Sequence, residues 1–484
     1  MSRHLRRWAA LISLGLGAAS AFGLEESSCR LQARSLPTVL AVCSTLEVPA
    51  DPADPASESI ELFVARISAL ASVPLPDPLV LISGGPGQST IDLYLQLRDA
   101  FAGVLARRDI VLLDQRGTGR SAAGYECPAP EDLDFQTAAA DLLAQLIEPC
   151  LANLERDPRH FTTSIAVSDL ERLRAALGVE QWNIYGVSYG TRVAQHYLRR
   201  YPERTRAVVL DGVVPPGLTL GPEIADAAQQ ALEALFARCA ESAPCRERFG
   251  NLAEKFAAVL AELGSGDVVV MRTRAESGEL EEVPLAEGHL QGLTRLMSYS
   301  AATAALLPLV IDDAYAGRYA TLLAQAELVF GSIEQSLNLP MHNSVVCAED
   351  VPRVARRDVS FGRGTYLGSS IMDALFAICA SWPVGPVDAD FFEPVVSDRP
   401  VLLLSGGNDP VTPPRYAERV VAEGLSNALH VVAADHGHVV APIGCAPRLI
   451  ADFIDAAGFA ELDPSCIDDA VPLPFFLSPA GPAP

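Results

Sequence analysis

Six short apolar runs set the terms for this chain: residues 79–82, 109–114, 182–187, 206–210, 401–405 and 428–433. Their apolar side chains run on with little of the alternation that a half-exposed strand requires. They suit strands covered on both faces. Helical patterns separate them, as at 191–200 and 415–423. Strand–helix alternation of this kind predicts a mostly parallel central sheet with helices on both faces. In such sheets chemistry sits beyond the carboxyl ends of the strands. The glycine-, acid- and histidine-rich clusters of this chain fall there.

After the third run comes Gly186-Val187-Ser188-Tyr189-Gly190, a G-x-S-x-G turn between a strand and a helix. Such a turn lifts the serine hydroxyl clear of the backbone, and its glycines allow two elements to cross closely. Ser188 is therefore the candidate nucleophile. A serine hydroxyl needs a base, itself oriented by an acid. On this kind of sheet the acid and then the base follow the serine in chain order. Asp409, on the loop after 401–405, is the expected acid, with Asp211 as its rival. His438 is the expected base, with His436 as the alternative. Two histidines and Asp435 lie within four residues, but no H-E-x-x-H accompanies them, so no metal site is expected. No cofactor is expected either.

An oxyanion requires fixed donors. The backbone N–H groups of Tyr189 and of Gly85, in Ser83-Gly84-Gly85-Pro86-Gly87, are the expected pair. That loop lacks the phosphate-binding patterns G-x-x-x-x-G-K-[ST] and G-x-G-x-x-G. The turn from Asp114 to Gly119 is expected to support it through an Asp114–Arg116 interaction.

The formal net charge is −24, which argues against nucleic acid or an anionic membrane surface as partner. Arg3, Arg6 and Arg7 precede a short apolar run and Ala19-Ser20-Ala21, the pattern of a cleaved secretory signal over 1–21. A periplasmic or secreted protein follows, without stable membrane insertion. Ten cysteines in an exported chain read as disulfides. Their spacing suggests Cys29–Cys43, Cys127–Cys150, Cys239–Cys245, Cys347–Cys379 and Cys445–Cys466, although order alone does not fix connectivity.

Texture divides the chain further. Residues 22–217 hold the first part of the alternating core. Residues 218–385 are mostly helical, with one strand run at 267–272, and read as an inserted cap. Residues 386–470 resume the core, and 471–484 form a proline-rich tail.

Taken together, the motifs resemble a known family. Ser83-Gly84-Gly85-Pro86-Gly87 is similar to the H-G-G-P-G loop of the proline iminopeptidase group of α/β-hydrolases, with serine in place of histidine. Residues 114–121 resemble that group's D-x-R-G-x-G-x-S. Residues 164–190 and the late Gly-Gly-Asn-Asp-Pro-Val-Thr-Pro and Gly-His segments resemble the exported tripeptidyl aminopeptidase branch. The resemblance implies an α/β-hydrolase fold and cleavage of short peptides from a free N-terminus. It also implies acidic cap residues that hold the substrate amine, here Glu349 and then Asp350. An esterase or lipase on the same fold is the alternative, and a non-catalytic binding protein a further one. Neither oligomeric state nor physiological substrate is legible.

Overall fold

The computed structural model describes residues 24–33, 36–127, 140–274, 277–354 and 361–482. The signal expected over 1–21 lies outside the described residues. Nine strands form one sheet: β1 Ser27–Leu31, β2 Val39–Pro49, β3 Ser59–Ile67, β4 Leu79–Ile82, β5 Ile110–Leu113, β6 Trp182–Val187, β7 Thr205–Asp211, β10 Val401–Gly406 and β11 Ala428–Ala433. Their spatial order is β1-β2-β3-β5-β4-β6-β7-β10-β11. From β5 to β11 every pairing is parallel, whereas β1, β2 and β3 join antiparallel at one edge. A separate hairpin pairs β8 Val269–Thr273 with β9 Leu280–Pro284.

Alternate side chains of each central strand enter opposite cores, as a period of two requires. Val80, Ile184, Val208 and Leu403 pack with Val193 and Tyr197 of the helix Tyr189–Arg200 and with Val420 of the helix Pro414–Gly424. Leu81, Tyr185, Val209 and Leu404 pack on the other face with Ile91, Leu95 and Phe453. Both faces of the central strands are covered, which is why most positions in these runs are apolar.

Runs of β-formers at 38–48 and 60–70 predict two further strands, found as β2 and β3, while β1 and β9 leave no such signal. β1 is too short and too polar to stand out, and Cys29–Cys43 ties it to β2. β9 (Leu-Glu-Glu-Val-Pro) carries too much charge for a buried strand because its hairpin lies at the surface. Between β7 and β10 the chain is mainly helical and builds a core of its own around Leu232, Phe249, Leu290 and Leu293. Phe475 of the tail inserts into that core, and the Phe476 N–H donates to the Ala305 carbonyl. The five disulfides join Cys29 to Cys43, Cys127 to Cys150, Cys239 to Cys245, Cys347 to Cys379 and Cys445 to Cys466. No described helix is long and apolar enough to cross a membrane.

Candidate active site

Ser188 occupies the sharp turn between β6 and the helix Tyr189–Arg200, with φ 55° and ψ −125°. Positive φ is uncommon for a residue with a Cβ, and it is held here by its surroundings. The Ser188 N–H donates to the Asp211 carbonyl at 2.9 Å, and the Thr191 hydroxyl donates to the Ser188 carbonyl at 2.6 Å. A Cβ on Gly186 would lie 2.5 Å from the Gly190 carbonyl oxygen, and one on Gly190 would collide with the Ile82 carbonyl. The serine side chain makes no cap bond to the helix it precedes. Its hydroxyl is therefore not spent on capping, and Tyr189, the first residue of that helix, lines the same cleft.

The glycine loop packs directly against this turn. An added Cβ on Gly84 would stand 2.9 Å from the Cβ of Ser188. Gly85 has φ 105° and lines the cleft with Ser188 and Tyr189. Ser83, where the related loop has histidine, donates to the Gln88 carbonyl at 2.6 Å and accepts from the Thr90 hydroxyl at 3.1 Å. It fastens the loop to itself.

The expected Asp114–Arg116 pair does not form. Asp114 instead accepts from the Ser89 hydroxyl at 2.8 Å and the Ile91 and Arg120 N–H groups, at the start of the helix Thr90–Leu97. Burial raises its pKa to about 6 against those bonds. Arg116 turns away to Asp169, 2.5 Å distant, and to the carbonyls of Pro49, Ala50 and His160. Each buried charge found a partner on a different element.

Asp409 and His438 meet across two loops. Nδ1 of His438 lies 2.7 Å from Oδ2 of Asp409. The carboxylate also accepts from the N–H groups of Val411 and Thr412 and from the Thr412 hydroxyl. Burial would raise the Asp409 pKa, but the charge and hydrogen bond of His438 and the Thr412 bonds outweigh it and hold it below the ordinary carboxylate value. For His438 burial works downward, and the charge and bond of Asp409, with the charge of Asp211, carry the pKa above the ordinary imidazole value. Ser188 and His438 line one cleft of about 730 Å³ without a direct hydrogen bond between them. Such contacts commonly tighten only when substrate binds.

The family described as alpha/beta hydrolase fold matches residues 77–270, and the one described as TAP-like protein matches residues 365–466. The chain has the α/β-hydrolase fold, and its C-terminal segment is similar to the TAP-like proteins. It is 26% identical to serine protease Hip1 of Mycobacterium tuberculosis over 404 residues, 77% of each chain. It is 30% identical to tripeptidyl aminopeptidase of Streptomyces lividans over 190 residues, 36% of this chain and 35% of that one. Proline iminopeptidase of Xylella fastidiosa (strain 9a5c) is 32% identical over 136 residues, 28% of this chain and 32% of its own. The chain thus spans about a third of the two aminopeptidases and about three quarters of Hip1.

In this α/β-hydrolase the rival residues have other partners. Asp211 accepts the N–H groups of Val440 and Ala441 and the Tyr185 hydroxyl. Nε2 of His436 lies 3.0 Å from the Ala470 carbonyl. Glu349 and Asp350 are not brought to the cleft. Both are wholly buried behind it. Glu349 accepts from the Thr163 N–H at 2.7 Å and its hydroxyl at 2.9 Å. Asp350 accepts from Arg192 and from the Leu220 N–H. The helix Leu339–Glu349, which Asp350 follows as C-cap, presents His342 and Val346 to the cleft instead.

Several residues around the site gave little or no signal in the sequence. Gly212 lies against the His438 ring: a Cβ there would stand 2.8 Å from its Cε1. Thr412 holds both Asp409 and, at 3.0 Å, Nδ1 of His438. Tyr299 stands edge-on to the His438 ring at 5.1 Å. Val471, Pro472 and Leu473 of the tail form part of the wall. No described side chain lining the cleft is acidic, and apart from histidines its one charged side chain is Arg295.

Proposed function

We propose that this α/β-hydrolase is an exported serine peptidase that releases short peptides from a free N-terminus through an acyl-enzyme. The observation that carries the reading is the Asp409–His438 contact at 2.7 Å, in the cleft that also holds Ser188 and Gly85. The relatives named serine protease, tripeptidyl aminopeptidase and proline iminopeptidase support peptide as the substrate. Five disulfides support an oxidising compartment.

In this reading Ser188 Oγ attacks the scissile carbonyl while His438 takes its proton. The Gly85 and Tyr189 N–H groups stabilise the oxyanion. Collapse breaks the C–N bond, and His438 returns the proton to the leaving amine. Water, deprotonated by His438, then releases the acyl fragment and restores Ser188. Asp409 orients the imidazole and stabilises its charged form. The helical cap roofs the cleft with Leu337, Val346 and Leu375 and limits access to short chains. With Glu349 and Asp350 engaged elsewhere, neutral acceptors such as Gln88 and Gln96 are left to meet the substrate amine.

Turnover of tripeptide p-nitroanilides with free and acetylated N-termini tests this. Preference for the free amine, lost in Ser188→Ala with folding intact, is the expected result. Turnover of acyl esters alone makes the chain an esterase. Failure of a fluorophosphonate probe to label Ser188 removes the catalytic reading.

A further inference from the structure

Arg295 lies on the cap helix Glu287–Met297 and lines the catalytic cleft. Its Nη2 donates to the Tyr299 hydroxyl at 3.0 Å, and its guanidinium carbon is 5.7 Å from the Tyr299 ring centre. Its Nε is buried and has no hydrogen-bond partner. The carboxylates of the catalytic apparatus are already committed, Asp409 to His438 and Thr412, Asp211 to the loop after His438. A buried donor without an acceptor is costly, and most such groups in folded proteins are satisfied. A guanidinium presents its donors as a fork that matches a carboxylate with two parallel bonds.

Its position says which carboxylate. Tyr299 links Arg295 to the base, standing edge-on to the His438 ring while its hydroxyl accepts from the guanidinium. His438 protonates the leaving amine, so the region next to its ring receives the leaving fragment. The ring-to-ring and ring-to-guanidinium spacings are 5.1 and 5.7 Å. Laid end to end, they are spanned by about three extended residues.

We infer that Arg295 receives the C-terminal carboxylate of the leaving fragment. The preferred substrates are then oligopeptides whose free carboxyl end lies within about three residues of the cleaved bond. This rests on the peptidase reading above and adds the other end of the substrate. It also accounts for a cleft whose one permanently charged described lining group is a cation, in a chain of net charge −24.

The test compares pentapeptides as free acids and as C-terminal amides, followed by chromatography of the fragments. The wild-type chain is expected to favour the acid by roughly ten- to a hundredfold in kcat/KM, mostly through KM. Arg295→Gln should bring the acid-to-amide ratio near one, and Arg295→Lys should recover part of it. Equal cleavage of acid and amide by the wild type overturns the inference and leaves the peptidase reading standing. So does a ratio that survives Arg295→Gln while both rates fall, which marks a structural role. Hydrolysis of esters with neither peptide cleaved overturns the peptidase reading, and this one with it.

Discussion

The carboxylate of Asp211 receives the backbone N–H of Val440 at 2.8 Å, two residues beyond His438. The Ala441 N–H reaches it as well, so the end of β7 clamps the histidine loop from beneath. Between His438 and Val440, Val439 is held at φ 72°, a conformation disfavoured for a β-branched side chain. Asp211 acts on the loop's backbone, whereas Asp409 acts on the ring.

That division separates two substitutions. Asp409→Asn should lower kcat by roughly a thousandfold or more, because the imidazole loses the acceptor that sets its tautomer. Asp211→Asn leaves buried N–H groups short of an acceptor and should cost about 1–3 kcal/mol of stability. Its kcat should fall much less. Thermal unfolding and kinetics on both variants check this, and equal losses of kcat would make Asp211 the orienting acid.

The pH profile follows from the same pair. His438 must be neutral to act as base, and its pKa lies above 6.5. The acid limb of kcat/KM should therefore have its midpoint above 6.5. Asp409→Asn removes the charge that raises it, so the midpoint should move to lower pH. For stability, the raised His438 contributes fully below its unfolded value of 6.5, and that contribution is lost as pH rises through the folded value. Asp409, held below 3.8, contributes above 3.8 and loses it as pH falls through its folded value. Kinetics and melting temperature measured from acid to neutral pH test both signs, and a midpoint that moves upward in Asp409→Asn refutes the assignment.

Glu349 should report on stability and not on substrate. Burial raises its pKa to about 7, against the charge of Arg192 and the bonds from Thr163. Between 4.5 and about 7 the folded chain holds this proton more firmly than the unfolded one, so its contribution to stability falls as pH rises through that window. Glu349→Gln should flatten that slope in a series of melting curves. KM for free-amine peptides should stay within about twofold of the wild type. A tenfold rise would return Glu349 to the amine site that the family resemblance implies.

Much of the core was legible because a strand covered on both faces must be apolar along its length. The same logic made β1 and β9 invisible. One lies at an edge and the other in a surface hairpin, where no such demand applies. The meeting of Asp409 with His438 was readable because each follows a late parallel strand on a loop. The acidic pair at 349–350 was misleading: nothing local distinguishes a carboxylate that faces a cleft from one that faces Arg192 and Thr163.

The sequence by itself determined the strands at the centre of the sheet, the turn that carries Ser188 and the chain order of Ser188, Asp409 and His438. Those depend on side-chain periodicity and on backbone limits within a few residues. Tertiary structure alone decided which buried charges were neutralised. Arg116 chose Asp169, Arg192 chose Asp350, and Arg295 was left facing the cleft with its Nε unsatisfied. Ion pairing falls steeply with distance and rises with burial. The partners are thus set by how elements far apart in the chain pack together, which no local pattern records.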